Sequence, residues 1–125
     1  NQAIASAQEL GFEFILFWQP DVHPCMTNAL QYLLDMLLDN ERVSLASWTE
    51  SFSESCERVF SADAGFMLAR TEAFARLDAA EYEVEGVKMK RYFTENDLEL
   101  GDKCKAAGVR WYIHGGAVCT RDEAA

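Results

Sequence analysis

Apolar and polar positions along this chain recur at two periods, and the switches between them mark out its elements. Residues 2–10 place Ile4, Ala7 and Leu10 on one side of a predicted helix, which Gly11 ends as a residue able to take a positive φ. Residues 12–18 then read as a strand, and their unbroken apolar end predicts burial on both faces of a parallel or mixed sheet. Pro20 and Pro24 stop it. Over 25–39, Met26, Ala29, Leu30, Leu33, Leu34, Leu37 and Leu38 recur three and four apart, a helical stripe that should lie against that sheet. Residues 43–48 give the next strand. A helix between two strands implies a crossover unit.

The second half is more broken. Residues 49–57 are polar and serine-rich and read as a loop with one helical turn, followed by two short apolar strands at 59–60 and 65–69 and a short helix at 71–77 capped by Thr71. Residues 79–92 alternate around Gly86, the pattern of an edge hairpin and equally of an active-site loop. Thr94 caps a helix running to 107, with Glu95, Asn96 and Asp97 in its first turn and Lys103 and Lys105 complementing the dipole at its other end. Gly108 ends it. The last strand covers 109–113, and His114-Gly115-Gly116 closes it as a corner.

Composition narrows what such a domain does. At 125 residues and 50% apolar, the chain is one folded domain. Its formal charge of -10 disfavours nucleic acid and anionic membrane surfaces as partners, and its longest apolar run falls far short of a membrane span. Cys25, Cys56, Cys104 and Cys119 show no CxxC spacing, so they read as free, mostly buried thiols in a reducing compartment, the cytoplasm.

Candidate chemistry sits where polar residues meet the ends of apolar elements. Asp21 and His23 follow the first strand, where ligands bind in open helix-and-sheet proteins. Asp21 reads as a ligand-binding or a turn carboxylate, and Asp97 as a first-turn carboxylate favoured by the helix dipole. Trp18, Trp48, Trp111, Phe66 and Phe74 sit in or beside apolar runs and read as core or as aromatic platforms for a ligand.

Three segments together carry a resemblance. Residues 11–21, with Ile15-Leu16-Phe17-Trp18-Gln19-Pro20-Asp21, look like the strand that ends in an aspartate-any-aspartate metal motif; residues 65–74 look like a glycine, apolar strand, arginine and helix segment; and Glu95-Asn96-Asp97-Leu98 through Gly108 looks like an acidic helix start. In that order they resemble the inverting, rhamnosyltransferase-like glycosyltransferases of the GT-A fold. The resemblance implies an α/β fold, a truncated GT-A-like mixed and mainly parallel sheet with flanking helices. Residues 1–125 would be a single partial domain lacking the N-terminal nucleotide-binding half, either a fragment completed elsewhere or a short form that pairs as a homo-oligomer.

The implied function is transfer of a sugar from a nucleotide-diphosphate donor to a carbohydrate acceptor hydroxyl. Asp97 would be the base, Glu95 and Asn96 would tune it or orient the acceptor, and Gly65, Phe66 and Trp18 would face the sugar. Asp21, and His114 if its corner swings round, would hold Mg²⁺ or Mn²⁺. Gln19 stands where the family has its first aspartate, and Val118-Cys119-Thr120-Arg121 where it often has a metal-binding histidine. The alternative is a non-catalytic dimerising or binding module of the same fold.

Overall fold

The computed structural model describes residues 2–92 and 97–122, without the side chains of Gln2 and Asp97. In chain order the elements are α1 (Gln2–Leu10), β1 (Phe14–Trp18), β2 (Val22–Pro24), α2 (Ala29–Asp39), β3 (Leu45–Thr49), β4 (Cys56–Val59) and β5 (Phe66–Arg70). A 3-10 helix (Thr71–Arg76), β6 (Ala80–Val84), β7 (Val87–Arg91), α3 (Asp97–Ala107) and β8 (Trp111–Arg121) complete it.

The main sheet has the order β1-β5-β3-β8-β2, with β4 also paired to β8. Alternate side chains of its central strands enter two different cores. On β5, Met67 and Ala69 join Ile4, Phe74, Leu100 and Trp111, under α1, the 3-10 helix and α3. Phe66 and Leu68 join Leu33, Leu37 and Val22 under α2 on the other face. Strand β3 divides in the same way, with Leu45 on the first face and Ala46 and Trp48 on the second. Burial on both sides is why β5 reads as a continuous apolar run, whereas β3 reads as a partly alternating one.

Strand β1 departs from expectation. It pairs with β5 alone among the described residues, and only Ile15 of its five residues is buried. Its apolar run reflects two half-covered faces at a sheet edge. The chain does cross over through α2, since β1 and β3 both run antiparallel to the β5 strand between them.

The expected mainly parallel, GT-A-like sheet is not what forms. Of the five pairings in the main sheet, only β3 with β8 is parallel; β1–β5, β3–β5, β4–β8 and β2–β8 are antiparallel. The fold is small, sheet-rich and strongly mixed. Much of this comes from β8, which does not stop at Ile113. It continues through Gly115 and Gly116 to Arg121, gaining β4 beside its first half and β2 beside its last three residues. To stay paired it bulges: β3 advances from Ser47 to Thr49 while β8 advances from Ile113 to Val118. Gly115 is required there, because a Cβ would strike the carbonyls of Ser53 and Ser55.

Other expectations are refined. Strand β4 begins at Cys56, inside the stretch read as a loop. The cysteines, expected to be free and mostly buried, are free but evenly divided, Cys104 and Cys119 buried and Cys25 and Cys56 exposed. Residues 80–91 form a separate two-stranded hairpin, turned at Glu85 and Gly86, both at positive φ. Among the described residues, no helix is long and apolar enough to cross a membrane.

Candidate functional site

The strand directions bring the ends of β1, β3 and β8 and the start of β5 to one end of the sheet. Trp18 at the end of β1 faces Phe66 at the start of β5 in register, and the Gln19 N–H donates to the Gly65 carbonyl at 2.8 Å. Strand β2 returns along β8, and the Asp122 N–H donates to the Asp21 carbonyl at 2.8 Å. Residues distant in sequence converge here through backbone pairing.

Arg121 lies at the centre of that convergence. Its Nη2 donates to Asp63 Oδ1 at 2.8 Å and to Gln19 Oε1 at 3.2 Å, and its Nε lies 3.6 Å from Asp21 Oδ2. The guanidinium carbon stands 6.0 Å from the centre of the Trp48 ring. Asp63 is itself oriented by the Gly65 N–H at 2.7 Å, an Asx-type turn. All three charged groups keep roughly half or a third of their side-chain surface in solvent. Two carboxylates against one guanidinium leave one net negative charge on the cluster.

Gly65 makes the arrangement possible by packing. An added Cβ would lie 2.5 Å from Arg121 Nη2, 2.6 Å from Val22 Cγ2 and 2.8 Å from Asp63 Oδ1. Expected to let backbone approach a sugar, Gly65 here leaves room for the arginine. Phe66 is 1% exposed and buried in the core, so it supports the site from behind without facing a ligand. Trp18 does face outward. It is 56% exposed, stands edge-on to Phe66 at 5.3 Å, and is held by its Nε1 donating to the Val22 carbonyl at 2.8 Å.

Beside the cluster an open pocket of about 330 Å³ is lined by Trp48, Thr49, Glu50, Ser51, Asp63 and Ile113. Trp48 is 4% exposed and its indole N–H has no hydrogen-bond partner among the described residues. A buried donor left unsatisfied is costly and unusual.

His114 is engaged elsewhere. Its ring stacks on Tyr32 of α2 at 5.1 Å and its Nδ1 accepts the Gly116 N–H at 2.9 Å. Burial pushes its pKa below the ordinary imidazole value, partly offset by the Asp35 carboxylate. Among the described residues its contacts are with Tyr32 and Gly116 and not with Asp21. Arg70, part of the resemblance, proves to be a clamp: its Nε donates to the Val43 carbonyl at 2.9 Å and its Nη2 to the Leu37 carbonyl, satisfying the open end of α2. Glu95 and Asn96 lie outside the described residues, as does the side chain of Asp97. The backbone of Asp97 opens α3, one turn before Gly101, which packs directly on Phe60 and Ser61 ahead of Asp63.

A divalent ion does not fit these residues as they stand. Asp21, Asp63 and Gln19 already share one guanidinium, His114 is turned to Tyr32, and among the described residues no three His, Cys, Asp or Glu side chains group to hold a metal. Sequence reasoning missed Arg121 and Asp63. The signal for Arg121 was the alternation of buried Ala117 and Cys119 with more exposed Val118 and Thr120, which carries β8 onward to it.

No known family model matches this chain, and no curated protein matches it. The crystal structure of A197 from STIV is similar in fold, with a TM-score of 0.65 at 12% identity, over 98% of this chain and 65% of that one. The chain thus spans under two thirds of the length of A197. At that identity the likeness concerns fold alone, and with no glycosyltransferase match beside it, the resemblance to the GT-A glycosyltransferase family is not upheld.

Proposed function

We propose that the cleft at this end of the sheet binds the sugar of a nucleotide-diphosphate donor, and that the chain is part of a protein transferring that sugar to an acceptor hydroxyl. The observation that carries the reading is the half-exposed Trp18 beside Gln19, Asp21, Asp63 and Arg121. A sugar offers an apolar CH face and a ring of hydroxyls. An aromatic face suits the first, while carboxylate, amide and guanidinium groups accept from and donate to the second. A cluster with one net negative charge suits neutral hydroxyls better than phosphate.

In the transfer, the acceptor oxygen forms a bond to the sugar's anomeric carbon while the bond to the diphosphate breaks, its electron pair leaving with the diphosphate. Asp97 keeps the role of base that takes the acceptor's proton, which requires hydrogen-bond reach of that hydroxyl. Glu95 and Asn96 would orient the acceptor. The four free thiols support a cytoplasmic setting.

Calorimetric titration with UDP, GDP and dTDP, each alone and as its hexose conjugate, tests this. The conjugates should bind more tightly than the bare diphosphates, and Trp18→Ala should erase the difference. Folded protein that binds no conjugate would sink the proposal.

One observation favours the alternative of a non-catalytic assembly module. The outer edge of β1 pairs with nothing among the described residues, and Leu10 and Phe12 beside it are 68% and 60% exposed. A stable homo-oligomer by light scattering, together with no sugar-nucleotide binding, would select that reading.

A further inference from the structure

We infer that Arg121 is the fixed cation of this cleft: it occupies the place between Asp21, Asp63 and Gln19 that a divalent ion would take, so the cleft binds its ligand without metal. Three oxygen-bearing side chains from two separate loops converge on one point. Such a set suits a hard divalent ion, whose affinity rises with the number of negative ligands. Here the point is filled by the chain itself.

The filling is built into the fold. Arg121 ends β8 in register with Val22 of β2, and its guanidinium packs near the buried Trp48 ring. Gly65 leaves space for Nη2, and the Gly65 N–H turns Asp63 toward it. A lysine would not serve equally, because a guanidinium reaches several acceptors at once in a planar fork. Nε and Nη2 are engaged, and the described hydrogen bonds of the guanidinium all leave from Nη2 rather than Nη1. The Nη1 edge is left to donate to a ligand oxygen, with the unpartnered Trp48 indole at the adjoining pocket.

Two consequences separate. The first concerns metal and is independent of what the cleft binds: the protein as it stands does not take up a divalent ion here, and removing the guanidinium uncovers a site with two net negative charges in place of one. The second rests on the sugar-donor reading: donor binding is unaffected by chelator and needs Arg121.

The probe for the first is Mn²⁺ alone, followed by calorimetry and by its paramagnetic effect on water relaxation, on wild type, Arg121→Ala and Arg121→Gln. Circular dichroism confirms that each is folded. Wild type should show no saturable binding up to the highest Mn²⁺ concentration used, and the variants should bind with a Kd at least about tenfold below that concentration, about 1.4 kcal/mol. Adding Asp63→Asn to Arg121→Ala should remove the gain. Wild type that binds Mn²⁺ tightly and loses it in Asp21→Ala would overturn the inference, as would a folded pair of Arg121 variants that gain nothing. Titration of the hexose conjugates with and without EDTA reads the second consequence. Chelator-sensitive binding by wild type overturns it, whereas absence of any conjugate binding strikes the sugar-donor reading and leaves the Mn²⁺ result standing.

Discussion

The cluster around Arg121 and the β6–β7 hairpin are both rich in charge, yet they use it in opposite ways. At the sheet end, one arginine is held by three side chains whose positions are set by four strands. On the hairpin, Glu81 faces Lys90 and Glu83 faces Lys88 across the ladder, and nearly every residue is exposed. An isolated two-stranded hairpin has little stability of its own. Charge that is packed and shared by several partners defines a site, whereas charge facing water on a ribbon defines a solvated surface. This is why residues 79–92, read from sequence as hairpin or active-site loop, are better described as the first.

The strongest test of the contrast uses two glycines. Gly65→Val puts branched atoms where Arg121, Val22 and Asp63 already sit, and overpacking of this kind costs about 1–3 kcal/mol. Thermal melting should show a fall of several degrees, with ligand binding at the cleft lost as Arg121 is displaced. Gly86→Ala meets nothing within 4 Å, and its cost comes only from φ of +82°, about 1–2 kcal/mol. That cost should appear in hydrogen exchange of the hairpin amides and leave the global melt nearly unchanged. Equal effects of the two on global melting would remove the distinction between a packed site and a peripheral ribbon.

Next in size is a pH effect on β8 that the hairpin should not share. Burial holds the pKa of His114 below its ordinary 6.5, with Asp35 opposing. Between the two values the unfolded chain binds a proton that the folded chain does not, so stability should fall as pH drops below about 6.5 and level off below the folded pKa. Urea midpoints measured through that window should decline for wild type. In His114→Gln the part of the decline due to this residue should vanish, and an unchanged slope would mean that the stacked ring on Tyr32 is not what titrates.

Sequence pattern revealed the elements better than their partners. Apolar periodicity located α1, α2 and the two-faced β5, since those signals are local and each is reinforced by several side chains. It misjudged β1, because a run such as Phe14-Ile15-Leu16-Phe17-Trp18 looks the same at a half-covered edge as at the centre. It ended β8 too early, because the glycine pair that marks a corner elsewhere here marks a bulge passing close to the Ser53–Ser55 backbone. That early stop hid Arg121. Asp21 and the loop preceding Gly65 were visible as polar residues at strand ends, but their convergence on one guanidinium depends on antiparallel pairings of β1 with β5 and β2 with β8 that no local period encodes.

Thiol reactivity adds a third scale to the comparison. Cys25 and Cys56 are exposed, while burial raises the pKa of Cys104 to about 12 and of Cys119 to about 11. Because the thiolate is the reactive form, two thiols should label promptly with a maleimide at neutral pH and the other two only on unfolding. Mass spectrometry of the partly labelled protein reads this directly. Prompt labelling at Cys119, which sits two residues before Arg121, would mean that the end of β8 opens readily and that the arginine is not held as described.

The smallest effect is expected within the hairpin itself. Glu83 and Lys88 are directly opposed, and cross-strand charge pairs of this kind are worth about 0.2–1 kcal/mol, nearer the lower end when water and salt screen them. A double-mutant cycle of Glu83→Ala and Lys88→Ala should therefore give a coupling of a few tenths of a kcal/mol in hairpin hydrogen exchange, diminished by added salt and invisible in global melting. The corresponding cycle at Asp63 and Arg121 should give a larger coupling that salt reduces less, because the hydrogen bond is fixed by the Gly65 turn and the β8 register. If the hairpin cycle equalled the cluster cycle, shared packing would not be what separates the two regions, and charge proximity alone would account for both.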